Sequence, residues 1–266
     1  MSKEKSAVFL SIREKATRLP KKVLLPLEGK TVTEHLIDRL KCSKLADDWI
    51  MTTSTHPDDD VLANLAAKTG IRCFRGSEED KLDRYLQAAR VHGVDFMVIV
   101  DGDDPLCDPV YIDRVILKHL ETGADFVYTE GLPLGAGSSG FTRRALEKVC
   151  QIKTQKDTEV WGGYFLKTGL FQTAKVEVQE PLLRRPDVRM TLDYEEDYRF
   201  FQAIFEALYV PGKVFSLEEV MRLLQRRPEI IQINQVVQKL YEENLARHTC
   251  ISYQIPTEKG AVECVS

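Results

Sequence analysis

The stretch FMVIVDGDDP, residues 96–105, decides how this sequence is read. Five consecutive apolar residues leave no polar face, which is the pattern of a central strand covered by helices on both sides of a parallel sheet. The run then passes straight into Asp101, Gly102, Asp103 and Asp104. In open α/β sheets, ligands bind beyond the carboxyl ends of the strands, where loops and helix N-termini converge. An Asp-Gly-Asp is also ordinary turn chemistry, so this stretch counts as a site only in company with others.

Working outward, strand-length apolar runs alternate with helical periodicity for about the first 150 residues, as expected of a parallel α/β sheet. AVFLSI (7–12) reads as a first strand, and TVTEHLIDRLK as a helix opened by Thr31 and Glu34 at capping-box spacing. WIMTT (49–53) and IRCFR (71–75) flank a helix that Gly70 stops, and SEEDKLDRYLQAARVHG is the next helix. Beyond residue 105 follow the helix VYIDRVILKHLETG, the strand DFVYT, a glycine- and serine-rich loop PLGAGSSG, and a helix near TRRALEKVC. Residues 158–193 turn to a strand pattern (EVWGGYFL, KVEVQ, VRMTLD), and from 195 the chain is mostly helical. Weak periodicity predicts a loosely held tail over the last 20 or so residues. The expected architecture is α/β, a mostly parallel sheet flanked by helices. Residues 1–211 form the main unit, and residues 212–266 a C-terminal helical extension and tail of the same domain.

Composition narrows the function. The chain has 266 residues, 43% hydrophobic and 29% charged, with a net charge of −4. No run approaches the roughly 18 apolar residues of a membrane span, and a net acidic chain lacks the basic footprint of a general nucleic-acid binder. The opening residues carry a short apolar run and no small-residue cleavage site, so a cytoplasmic location is expected. Six cysteines without a CxxC pair suit reduced thiols better than disulfides or zinc.

Two further features supply the company that Asp103 requires. Arg13, Lys15, Arg18, Lys21 and Lys22 crowd into the loop after the first strand, with Pro20 and Pro26 stiffening its path. Positive charge held at that edge suits a polyphosphate. RMTLD then ends a predicted strand at Asp193, a second carboxylate emerging as Asp103 does. Two hard oxygen ligands beside a phosphate loop suit Mg²⁺, which keeps most of its waters and typically takes one or two protein carboxylates.

The loop REKATRLPKKVL resembles the N-terminal signature of the cytidylyltransferase family that includes the CMP-Kdo synthetases, the acylneuraminate cytidylyltransferases and the spore-coat polysaccharide proteins. Arg13, Thr17, Arg18, Leu19, Pro20, Lys22 and Leu24 match it; Ala16 and Lys21 depart from a serine and a glycine. FRGSEEDKLDRYLQAA, DGDDPLCDP and TLDYEED are similar to later motifs of the family in the same order, so the resemblance covers about residues 6–210. It implies a Rossmann-like nucleotide-diphospho-sugar transferase fold and transfer of a cytidylyl group from CTP to an acceptor hydroxyl, with pyrophosphate leaving. It further implies that Arg13, Thr17, Arg18 and Lys22 hold the triphosphate, that Arg84 and Asp101 lie near the nucleotide, and that Asp103 and Asp193 hold Mg²⁺. Arg18, Lys22, Asp103 and Asp193 form the implied catalytic set. Asp101 stands where the CMP-Kdo synthetases have a glutamine. Ser139, Glu159, Trp161 and Tyr164 fall where the family handles its acceptor, a small anionic sugar or related precursor. A homodimer paired through residues 158–180 is implied as well.

Two other readings compete. Asp101-Gly102-Asp103 is also the Asp-x-Asp metal motif of nucleotide-sugar glycosyltransferases on a similar fold, but a bound nucleoside diphosphate does not require the basic loop. The departures at Ala16 and Lys21 fit a nucleotide-binding relative without activity, against which stand Arg18, Lys22, Asp103 and Asp193.

Overall fold

The computed structural model describes residues 3–16, 18–248, 251–257 and 260–265. β1 (Ser6–Ser11) leads through the basic loop and a small antiparallel ribbon, β2 (Pro26–Leu27) and β3 (Lys30–Thr31), to α1 (Val32–Leu40). Thr31 caps α1 reciprocally with Glu34, as its spacing predicts. Then come β4 (Asp48–Ser54), α2 (Asp60–Thr69), β5 (Arg72–Gly76), α3 (Lys81–His92), β6 (Phe96–Asp101) and α4 (Pro109–Thr122). The second half holds β7 (Phe126–Glu130), β8 (Ser139–Thr142), α5 (Arg143–Ile152), α6 (Gly162–Leu166) and β9 (Thr173–Glu177). α7 (Glu195–Leu208), α8 (Leu217–Arg226), α9 (Glu229–Gln235), α10 (Gln238–His248) and a hairpin of β10 (Ser252–Thr257) and β11 (Gly260–Val265) follow.

Seven strands form one mostly parallel, Rossmann-like sheet in the order β5-β4-β1-β6-β8-β7-β9. β8 alone runs against its neighbours β6 and β7. β6 lies between β1 and β8, and its side chains divide by parity: Phe96, Val98 and Val100 enter one core, Met97 and Ile99 the other. α1, α2, α4, α7 and α8 cover the first face, while α3, α5 and α6 cover the second. Burial on both faces explains why FMVIV shows no alternation. Because β1, β4, β5 and β6 are mutually parallel in register, Ser11, Ser54, Gly76 and Asp101 finish along one edge. Everything that rises beyond it faces a common space.

Three expectations fail, each for a local reason. EVWGGYFL is not a strand: Gly162–Leu166 is a short helix, which places Trp161, Tyr164 and Phe165 together in the second core at helical spacing. VRMTLD is extended but outside the sheet. Its Met190 N–H donates to Leu134 O at 2.7 Å and its Leu192 N–H to Asp103 O at 2.7 Å, so its hydrogen bonds go to loops. The end of the chain is no loose tail, since β10 and β11 pair over Ser252–Thr257 and Gly260–Val265. Ile251 and Tyr253 are buried in the second core, and Tyr164 Oη donates to Ser252 O at 3.1 Å. Truncating Ile251 to Ala is expected to cost about 2–4 kcal/mol in urea unfolding, as other buried apolar truncations do.

Lys21 sits at φ 57° and ψ 22°, a left-handed conformation in which its Cβ is crowded. The lysine that departs from a family glycine therefore keeps a glycine-like backbone. Lys21→Gly is expected to raise stability by up to about 1 kcal/mol, and Lys21→Val to lower it by about 1–2 kcal/mol, both readable as melting shifts.

Candidate active site

A cleft of about 730 Å³ opens at the carboxyl edge of the sheet. The loop after β1, Glu78 and Glu159, and the strand-end residues Asp101, Gly102 and Asp103 all line it. Gly102 is required there by close approach, because a Cβ at this position would lie 2.5 Å from Ile12 Cγ1. Gly135 (φ 87°) does the same for the adjoining segment, where a Cβ would meet Met190 O at 2.5 Å and Asp104 Oδ1 at 2.8 Å.

On one side of the cleft two carboxylates and two cations converge. Lys22 Nζ lies 2.7 Å from Asp103 Oδ2 and 3.0 Å from Asp193 Oδ1, while Arg18 Nη2 reaches the same Asp193 oxygen at 2.6 Å. The backbone bond from Leu192 to Asp103 O brings the second carboxylate beside the first. Burial alone would lower the Lys22 ammonium, but Asp103 and Asp193 outweigh it and hold the group above the ordinary lysine value. Burial likewise pushes Asp193 upward, yet Lys22 and Arg18 prevail and draw it down to about 2. Asp104 is held well above the usual carboxylate range, first by burial and then by the charges of Asp103 and Asp101.

A buried network fixes Asp193 from behind. Arg189 Nη2 donates to Asp193 Oδ2 at 2.9 Å, and Arg189 Nε to Asp197 Oδ1 at 2.8 Å. Asp197, fully buried at the start of α7, also accepts the backbone N–H groups of Asp193 and Tyr194 at 2.9 and 3.0 Å. Asn234 on α9 adds its Nδ2 to Asp197 Oδ1 at 2.9 Å. On α10, Tyr241 lies under the Arg189 guanidinium at 4.4 Å. The C-terminal helices therefore brace the site, although none of their described residues lines the cleft.

A second group lines the same cleft. Lys81 Nζ, at the start of α3, meets Asp101 Oδ1 at 3.2 Å and Glu159 Oε1 at 3.0 Å. Arg13 Nη2 reaches Glu159 Oε2 at 2.8 Å, and its Nη1 donates to Glu78 O at 2.7 Å. Arg84 is fully buried beneath; its Nη1 donates to Ser77 O at 2.6 Å, while its Nε and Nη2 have no partner among the described residues. Burial lowers its guanidinium below the ordinary arginine value.

Of the residues expected from the sequence, Arg13, Arg18, Lys22, Arg84, Asp101, Asp103, Glu159 and Asp193 line this one cleft. Thr17 lies outside the described residues. Trp161 and Tyr164 do not reach the cleft: Trp161 packs against Phe126 and Phe141, and Tyr164 is fully buried. Ser139 sits within β8, paired between Ile99 and Tyr128, and is not among the cleft-lining residues. Sequence reasoning missed Lys81, Arg189, Asp197 and Asn234. Arg189 and Asp197 each stand four residues from Asp193, a spacing that held the signal for both.

Over 241 residues the chain is 32% identical to an uncharacterised protein of Methanocaldococcus jannaschii, covering 88% of this chain and 97% of that one. It is 30% identical over 228 residues to the spore coat polysaccharide biosynthesis protein SpsF of Bacillus subtilis, covering 83% and 94% of the two chains. The solved structure of a cytidylyltransferase from Leptospira borgpetersenii superposes with a TM-score of 0.79 at 27% identity, over 86% of this chain and 97% of that one. Residues 7–185 match the cytidylyltransferase family over well more than half of the chain, and to that family the chain belongs.

Proposed function

We propose that this protein transfers a cytidylyl group from CTP to a hydroxyl of a small anionic sugar or related cell-surface precursor, releasing pyrophosphate. The observation that carries the reading is the convergence of Arg18 and Lys22 on Asp103 and Asp193 within 3.0 Å of one another's charged atoms. The acceptor oxygen attacks the α-phosphorus, the bond from that phosphorus to the bridging oxygen breaks, and pyrophosphate leaves in line. Charge grows on the equatorial oxygens and the leaving group, so positioned cations lower the barrier without a covalent enzyme intermediate. Lys22 and Arg18 face that charge, while Arg84, whose Nε and Nη2 have no partner among the described residues, lies buried beneath the cleft.

Asp103 and Asp193 suit Mg²⁺, since both are hard carboxylate donors already gathered at a single ammonium. Mg²⁺ keeps most of its waters and typically takes only one or two protein carboxylates. When bound there, magnesium would neutralise phosphate charge as a Lewis acid. Lys81, Asp101 and Glu159 are left for the base or the acceptor, and Arg13, which reaches Glu159, for the triphosphate with Arg18 and Lys22. SpsF's name, with polysaccharide biosynthesis in it, supports a sugar-derived acceptor. A homodimer through residues 158–180 belongs to the same proposal, and Leu166 and Leu170 stand 50% and 39% exposed in that stretch. Sedimentation as a monomer at micromolar concentration would reject the dimer.

Pyrophosphate release, measured with each of the four nucleoside triphosphates against a panel of sugar acids and sugar phosphates, tests the reaction. Release from CTP above the other three, and only with an acceptor present, is the expected result. No release from CTP with any acceptor, or equal use of all four nucleotides, would defeat it. Lys22→Ala is expected to weaken CTP binding and slow turnover together, because its phosphate contact exists before and during transfer. A kinetic split in which only one parameter moves would assign Lys22 another role.

A further inference from the structure

A second cavity, of about 340 Å³, opens between α1, the end of α7 and the loop running to Phe215. It shares no lining residue with the cleft. Its walls are aromatic: His35 lies 4.5 Å from Phe205 and 5.0 Å from Tyr209, and Phe215 packs on Phe205 at 5.1 Å. Burial keeps the His35 ring below its usual pKa, and its Nε2 is held 2.7 Å from Leu27 O.

A buried guanidinium lines this cavity without a counterpart. Arg39 is only 3% exposed, with its guanidinium 4.9 Å from the Phe215 ring. Among the described residues it makes no side-chain hydrogen bond and no ion pair. The carboxylates that bear on it electrostatically are committed elsewhere: Asp108 caps α4 through Val110, and Glu219 caps α8 through Ser216. Nearby Lys30 is paired with Asp38, and Lys41 is bound to Thr69 O. Lys213 at the rim adds a second, exposed cation. Unlike those of Arg84, the Arg39 nitrogens are not sealed off, so the guanidinium opens onto the cavity, where water or an anion must complete it.

We propose that this cavity binds a small organic anion whose carboxylate or phosphate group pairs with Arg39 and whose flat apolar body lies along Phe205, Tyr209 and Phe215. The bidentate fork of an arginine fits either head group, and the aromatic walls favour a ring over an aliphatic chain. This site is independent of the cytidylyl-transfer reading, because none of its residues takes part in the cleft.

Melting temperatures of the full chain test it with phenyl phosphate, benzoate and inorganic phosphate as probes. A Lys22→Ala background weakens the cleft's own response to phosphate, and Arg39→Met is added to it. In Lys22→Ala, phenyl phosphate or benzoate is expected to raise the melting temperature more than inorganic phosphate does, and the stronger of the two identifies the head group. In Lys22→Ala/Arg39→Met the increment should vanish, with apparent affinity falling by roughly tenfold or more. An increment of equal size in the double variant overturns the proposal, whatever that variant's baseline stability. Selenate soaked into crystals of the unaltered protein should give an anomalous peak beside Arg39; a peak beside Arg18 and Lys22 alone also overturns it.

Discussion

Asp103→Asn is expected to cut turnover roughly 100- to 1,000-fold while leaving the melting temperature nearly unchanged. Positioned groups that neutralise charge in the transition state are commonly worth about 3–4 kcal/mol, and the amide is nearly isosteric with the carboxylate. Among the described residues Asp103 has one ionic partner, Lys22, and its side chain is 29% exposed, so water compensates for the lost charge. Asp193→Asn should lose a similar amount of turnover but also melt lower. Its side chain is 4% exposed and bonded to Arg18, Lys22 and Arg189, all of which keep their charge when the carboxylate is gone. Pyrophosphate release and thermal melting on the same samples separate the two variants. Near-normal turnover in either would remove that residue from the chemistry.

The second large effect is on folding. Asp197→Ala is expected to cost about 3–5 kcal/mol in urea unfolding, the range for removing one partner of a buried ion pair. The carboxylate is fully buried and accepts from Arg189, Asn234 and the backbone N–H groups of Asp193 and Tyr194. Its loss removes an acceptor from the segment before α7 and from α9 at once, and leaves the buried Arg189 charge with Asp193 alone. Because it aims Asp193, turnover should fall in the folded fraction too. A variant with wild-type stability would show that water replaces the carboxylate at this junction.

Much of the site was legible because its parts obey local rules. FMVIV announces a strand covered on both faces, and the basic loop and Asp103 follow strand ends directly. Loops at strand ends meet when the strands are parallel. Asp193 was placed at the right edge for an incomplete reason: its segment has strand-like alternation, but its hydrogen bonds run to Leu134 and Asp103. Periodicity cannot tell a sheet partner from a loop partner. Trp161 and Tyr164 are ambiguous in the sequence because an aromatic residue serves a core as well as a binding site, and here packing claims them. Lys81 reads as a solvated charge on a helix start, and only the meeting of α3 with Glu159, 78 residues on, reveals it as a buried ammonium paired with a more exposed carboxylate. Such long-range pairing leaves no mark on local pattern.

The hairpin at the end of the chain also sets an order of events during synthesis. Ile251 and Tyr253 complete the second core against Trp161, Tyr164 and Phe165, yet they follow Trp161 by about ninety residues. At about 5–20 residues per second, that wall waits roughly 5–20 s for its cover on the ribosome. The first core lacks its own late members from α7 and α8 for a similar interval. β1, β4, β5 and β6 can therefore pair early, whereas the aromatic layer behind Glu159 stays open to solvent and to chaperones. A nascent chain stalled before residue 251 should expose that layer, and a substitution such as Ile251→Ala should lower yield in the cell through this prolonged exposure as well as through lost stability.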